Sequence, residues 1–198
     1  PISFTLDTAG PMTRCVADLN ILYAALRDQP KLDFSSARLA GRRIAVNVWN
    51  RSNLPPAINR SINRLVDDLR AVGVLITEVN LPATPNLKEI MKFEFKYAMN
   101  RYLHSAGSRM KSLADIIAFN EAHADLCLRY GQVCLTEAQE QTTGTLTDPA
   151  YLAVMADRKK QIAAIRETLS PFDACLMCSP NNIAHYTGLP SVALPNGL

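Results

Sequence analysis

The sequence contains no run of about 18 apolar residues, the minimum for a helical membrane span. It opens without the basic, apolar and small-residue order of a secretory signal, so the expected compartment is cytoplasmic. Glycine is scarce, 8 residues in 198, and no glycine-rich loop is placed to cradle a phosphate, which leaves a nucleotide-binding reading weak. Only three histidines occur, His104, His123 and His185, and there is no GxSxG elbow, so nothing marks a histidine-assisted nucleophile. Neither charge is gathered into blocks. The 21 basic and 18 acidic residues are interspersed, which is not the footprint of a nucleic-acid binder. The five cysteines are an odd number in a chain whose 48% hydrophobic content suffices for a core, and they read as reduced thiols, not as a disulfide framework.

What the chain does have is a polar opening. Ser3, Thr5, Asp7, Thr8, Thr13 and Arg14 fall within twelve residues around a Gly10-Pro11 turn, a density that suggests a buried and specified loop. Val16, Leu19, Leu22, Tyr23 and Leu26 then recur at helical spacing, with Thr13 the expected N-cap and Pro30 the stop. The clearest unit follows. Arg43 to Trp49 alternates as a strand, Pro55 to Val72 has helical periodicity closed by Gly73, and Val74 to Val79 alternates again, which makes a β-α-β unit with parallel strands. Leu87 to His104 reads as a helix apolar around much of its circumference. Ser112-Leu-Ala-Asp115 resembles a capping box opening a second helical region, broken near Asn120, that runs past Cys134 until the polar run Thr142 to Thr147. Asp148-Pro149 starts a last long helix to about Leu169, whose Asp157, Arg158, Lys159, Lys160, Arg166 and Glu167 read as a solvated face. Two short apolar runs, Ala174 to Cys178 and Ser191 to Leu194, flank a loop with a helix around Ile183 to Tyr186.

Residue chemistry alone points to no reaction. Cys175 and Cys178 have CxxC spacing, but with no second pair or suitably placed histidine they read as buried strand positions. Asp67 and Asp68, or Glu137 and Glu140, do not form a useful acid and base pair. Glu121, His123 and Asp125 do not share a helix face, which argues against a metal there. His104 and His123 read as structural or surface residues. His185, in the loop after a strand, is the more interesting position, because parallel sheets tend to place ligand sites there.

Four stretches nevertheless resemble the amidase signature family of serine amidohydrolases. They are Ser3-Phe-Thr-Leu-Asp-Thr-Ala-Gly-Pro-Met-Thr-Arg14 with Asp18; Leu39-Ala-Gly-Arg-Arg-Ile-Ala-Val46 with Val79-Asn-Leu-Pro82; Ser112-Leu-Ala-Asp-Ile-Ile-Ala-Phe-Asn120 with Tyr130-Gly-Gln132 and Asp148-Pro-Ala-Tyr151; and Thr187-Gly-Leu-Pro-Ser-Val-Ala-Leu-Pro-Asn-Gly197. The third is similar to a branch that includes peptide amidases. The resemblance implies an α/β fold, a mixed sheet flanked by helices, with residues 1–198 a single partial domain: the C-terminal part of an amidase signature domain, truncated at both ends. It implies hydrolysis of a small-molecule or peptide amide through a serine acyl-enzyme with no cofactor; from the composition and spacing above, no metal and no membrane or nucleic-acid partner is expected, and a homodimer is among the allowed assemblies. The family's Ser, cis-Ser, Lys triad has no counterpart here, so the chain is expected to be inactive alone. Tyr97, Asn120, Tyr186 and Thr187 are the candidate substrate-lining residues, and Asp7 with Arg14 the expected ion pair fixing the opening turn. The interval from Pro180 to Gly188 is short for the family, which leaves open a trimmed loop or missing residues. The alternatives are a non-catalytic interaction module and the A subunit of a tRNA-dependent amidotransferase.

Overall fold

The structure, a computed structural model, describes residues 1–49, 51–178 and 181–194. Asn50, Ser179, Pro180 at the start of the short interval, and the Pro195 and Gly197 turn signals lie outside the described residues. The chain divides into two compact units. One gathers Pro1–Asp7, Pro82–Thr168 and Asn181–Val192; the other gathers Thr8–Leu81 and the described parts of Leu169–Pro180 and Ala193–Leu198.

The second unit holds the β-α-β motif. Strand β1 (Arg43–Asn47), helix α2 (Pro56–Ala71) and strand β2 (Leu75–Val79) follow the expected boundaries within two residues, and β3 (Ala174–Met177) joins on the other side of β1. The sheet order is β2-β1-β3 and both pairings are parallel, with Ile44 opposite Ile76 and Ala174. Because strand side chains alternate between faces, Val46, Ile76 and Leu176 point the same way and pack with Ile58, Ile62 and Val66 of α2. That burial is what the α2 periodicity encodes. Gly73 ends α2 at φ +87°, a backbone conformation that favours glycine, and a Cβ there would sit tightly at 3.3 Å from the Ala40 Cα.

Asp173 fastens β3 to β1. Its Oδ2 accepts the Arg43 N–H at 2.8 Å and its Oδ1 the Arg42 guanidinium at 2.9 Å. The Arg43 N–H first, and Arg42 after it, hold the Asp173 carboxyl below its ordinary 3.8. A carboxyl depressed on folding contributes stability that is present above its unfolded pKa and lost as pH falls through the folded value. Asp173→Asn is therefore expected to narrow its stability deficit against the parent protein between pH 6 and pH 3. Urea midpoints for the two proteins check this; a constant gap would contradict it.

Helix α1 (Val16–Leu26) departs from expectation at both its cap and its face. Its N-cap is Cys15, without a side-chain cap, while the Thr13 hydroxyl donates to the Cys15 carbonyl at 2.9 Å. Ala24 is its only buried residue, and Val16, Leu22, Tyr23 and Leu26 of the apolar stripe are exposed.

The first unit is helical. Helix α3 (Leu87–Ser105) packs with α4 (Leu113–Ala122), α6 (Val133–Gln141) and α7 (Pro149–Leu169), with the short α5 (Ala124–Cys127) and α8 (Ile183–Thr187) between and after them. The Ser112 and Asp115 capping box is present in both directions, and the Asn100 side chain accepts the Leu113 N–H at 2.7 Å. The expected long region after Ser112 is three helices. His123 leaves helical geometry at φ −126° and Gly131 turns at φ +70°, which interrupts the i→i−4 ladder twice. Lys96 donates to the Gln139 and Thr142 carbonyls, closing the C-terminal end of α6. Leu113, Ile117 and Ala138 form one core cluster; Leu6, Ile90 and Tyr186 form another. The run Ser191 to Leu194 is not a strand, and its Val192 and Leu194 are exposed. No helix among the described residues is long and apolar enough to cross a membrane.

Candidate functional site

The densest polar cluster lies inside the first unit, and the opening loop builds one side of it. The Leu6 and Asp7 N–H groups both donate to the Ser3 carbonyl, at 3.1 and 2.7 Å, and Asp7 Oδ2 accepts the Ile2 N–H at 2.8 Å. Asp7 thus closes the loop on itself. The tight loop turns Ser3 and Leu6 inward, both buried, and Phe4 outward.

Glu94 is the centre of the cluster. It is fully buried on the Ile90, Glu94, Ala98 face of α3. Its carboxylate accepts the Ser3 hydroxyl, the Thr5 N–H at 3.2 Å, the Thr5 hydroxyl at 2.8 Å and the Tyr151 hydroxyl at 2.7 Å. Four donors occupy the acceptor sites a carboxylate has. Arg158, 7% exposed, completes the arrangement: its Nε donates to the Tyr186 carbonyl at 3.0 Å, and its two terminal nitrogens to the Thr5 hydroxyl and carbonyl at 2.8 and 3.1 Å. The Thr5 hydroxyl accepts from the guanidinium and donates to the carboxylate, relaying one charge to the other. Burial and the Glu94 bond push the Tyr151 hydroxyl well above its usual range, so it stays protonated as a donor.

These hydrogen bonds hold the opening loop. Ser3 is fully buried and its hydroxyl already donates to Glu94, so no substrate carbonyl reaches it. The depression on α7 lined by Met155, Arg158, Lys159 and Ile162 has a volume of about 190 Å³, below the roughly 300 Å³ at which small-molecule pockets begin. Cys175, pushed up to about 11 by burial, and Cys178, raised for the same reason, remain thiols at neutral pH. No group of three His, Cys, Asp or Glu side chains among the described residues could hold a metal.

The four lining candidates occupy three separate places in this unit. Tyr186 is fully buried in the core with Leu6 and Ile90, and its hydroxyl donates to Gln161 at 2.7 Å. Thr187 next to it is buried and donates back to the Ile183 carbonyl at 2.6 Å. Tyr97 is half-buried against Phe4, ring centroids 5.9 Å apart, and Asn120 donates to Gln132 at 3.0 Å. His185 is exposed, as are His104 and His123. Glu94 and Tyr151 were missed by the sequence reading, and Arg158 was assigned to a solvated face. Glu94 left one legible signal: an acid set between Phe93 and Phe95, four residues from Ile90 and from Ala98 on an apolar helix face.

The model of the Amidase family matches residues 1–190 of this α/β chain. The protein belongs to the amidase family. Over 98 residues it is 35% identical to the A subunit of a glutamyl-tRNA(Gln) amidotransferase from Nitratidesulfovibrio vulgaris (strain DP4), a match spanning 41% of this chain and 20% of that protein. Over 155 residues it is 27% identical to a probable amidase of Arabidopsis thaliana, spanning 63% of this chain and 28% of that protein. Among solved structures, the peptide amidase of Stenotrophomonas maltophilia superposes with a TM-score of 0.72 at 28% identity, covering 95% of this chain and 46% of that one. The chain therefore spans less than half the length of each.

Proposed function

We propose that this chain is part of an amidase that hydrolyses a carboxylic amide to an acid and ammonia or an amine through a serine acyl-enzyme, with the Ser, cis-Ser, Lys triad outside these 198 residues. On this reading the chain contributes scaffold and pocket wall and is inactive alone. The observation that carries it is the family match over residues 1–190 in a chain whose densest polar cluster holds no free nucleophile beside a base. A peptide amide is the substrate class favoured by the likeness to peptide amidase, at 28% identity. Tyr97, Asn120, Tyr186 and Thr187 are the proposed wall. Of these, Tyr97 and Asn120 are only partly buried, and so keep surface to offer.

Incubating the 198-residue chain with a short peptide amide is expected to release no ammonia above buffer. Turnover that disappears when one of the chain's own serines is replaced by alanine would sink this reading. A second reading, the A subunit of a tRNA-dependent amidotransferase, is favoured by the 35% identical stretch. An upstream coding sequence carrying a Lys and a Gly/Ser-rich nucleophile segment is what both active readings require and what an interaction module lacks. Dependence of activity on partner proteins then separates the two.

A further inference from the structure

The tight opening turn holds an aromatic ring out of the core of the first unit. Ser3 and Thr5, on either side of Phe4, both donate to the buried Glu94, and the Thr5 carbonyl accepts from Arg158, so the backbone at Phe4 is pinned from both sides. Phe4 itself is 49% exposed. Its ring meets that of Tyr97 on α3 with centroids 5.9 Å apart and planes tilted by 58°, so the two rings form a corner in which neither is buried. The outer end of Tyr97 carries a charge. Arg101, one turn further along α3 and exposed, donates from a terminal nitrogen to the Tyr97 hydroxyl at 3.4 Å. No carboxylate among the described residues forms an ion pair with it. From Phe95 to Ser105 the helix has no acidic residue, and of its cations there Lys96 is already committed to the Gln139 and Thr142 carbonyls. Arg101 keeps most of its N–H groups for something that is not yet there.

We infer that Phe4, Tyr97 and Arg101 form a binding site for an arylalkanoate, a carboxylic acid whose aromatic ring lies one or two methylenes from the carboxylate. The ligand ring packs on Tyr97 beside Phe4, and its carboxylate meets the guanidinium past the Tyr97 hydroxyl. Each part of that ligand answers one feature of the site. Tilted and offset contacts between aromatic rings stabilise beyond the area they bury. A guanidinium holds a carboxylate through two parallel hydrogen bonds, which a neutral amide does not match. The tyrosine sets the spacing: Arg101 sits at the hydroxyl end of the ring's long axis, so a ring stacked on Tyr97 reaches it only through a short aliphatic link. An aliphatic carboxylate gains little more than an exposed ion pair, and a neutral aromatic leaves Arg101 unused. Because the backbone on both sides of Phe4 is already fixed, binding costs that ring little conformational freedom. On the amidase reading such an acid is what an arylalkyl amide becomes on hydrolysis, but the site stands on binding alone and does not depend on turnover.

The test titrates the 198-residue chain with phenylacetate at neutral pH and follows the ring protons of Phe4 and Tyr97 by NMR. The two rings are expected to shift together and to saturate with a Kd of about 1 mM. Phenylacetamide, which lacks the charge, and cyclohexylacetate, which lacks the aromatic ring, are each expected to bind about tenfold more weakly. Arg101→Gln is expected to weaken phenylacetate about tenfold while leaving phenylacetamide unchanged, a selective loss that a purely structural role for Arg101 would not produce. Phe4→Leu, which keeps an apolar side chain at the same exposed place, is expected to weaken both aromatic ligands by about the same factor, roughly threefold. Urea midpoints of both variants are expected to match the parent, since both side chains lie at the surface. Rings that do not move, shifts spread over the whole unit, phenylacetamide held as tightly as phenylacetate, or an Arg101→Gln chain that binds phenylacetate as the parent does would each overturn the inference. Ammonia release is read separately: binding without it leaves this site standing and counts against the amidase reading, and turnover of a peptide amide without phenylacetate binding does the reverse.

Discussion

Glu94→Gln is expected to destabilise the first unit by about 3 kcal/mol, although the two side chains have nearly the same shape. The amide brings its own N–H donors to a place where the Ser3 hydroxyl, the Thr5 N–H and hydroxyl and the Tyr151 hydroxyl all donate. At least one buried donor is then left facing another, at about 1–3 kcal/mol, and the Arg158 charge loses its only buried counter-charge in the cluster. The effect is local enough to read residue by residue. The Leu6 and Asp7 amides, which donate to the Ser3 carbonyl, are expected to exchange with solvent on the order of a hundredfold faster, while the Asp115 amide in the α4 capping box is unchanged. A change below threefold at Leu6 and Asp7 would mean that Glu94 does not anchor the opening loop.

Arg158→Met is expected to cost about 3 kcal/mol, because the Tyr186 carbonyl and the Thr5 hydroxyl and carbonyl lose a charged, largely buried donor. Methionine fills much of the volume but leaves the Thr5 and Tyr186 carbonyls without their guanidinium donors and Glu94 without its relay through the Thr5 hydroxyl. Lys159→Met, one residue away on the exposed side of α7, is expected to stay within about 0.5 kcal/mol. Sequence reading places both residues on one solvated charge run, so unfolding midpoints for this pair separate the two accounts directly. Because Arg158 and Glu94 share Thr5, the Glu94→Gln, Arg158→Met double variant should lose about 1–2 kcal/mol less than the sum of the single losses. Strict additivity would show two independent contacts and no network.

Local order was legible and long-range order was not. The β-α-β unit, the capping box at Ser112 and Asp115, the Gly73 terminus and the start of α7 at Asp148-Pro149 all stand where the sequence places them. Each is set by residues three or four positions apart, or by a backbone conformation that few residue types accept. The order of the four stretches that resemble amidases was equally a property of the sequence. The polar cluster was different in kind. Ser3 meets Glu94 across 91 positions and Thr5 meets Arg158 across 153, and no local rule relates residues so far apart. Only tertiary structure could turn Arg158 inward from a charged run and reveal that the opening loop's polar atoms serve a buried glutamate. Helix α1 marks the same boundary. Its spacing determined that one face is apolar, but periodicity names no partner, and which face is buried depends on the elements present to cover it. Here the tertiary structure turned Ala24 inward and left the apolar stripe open.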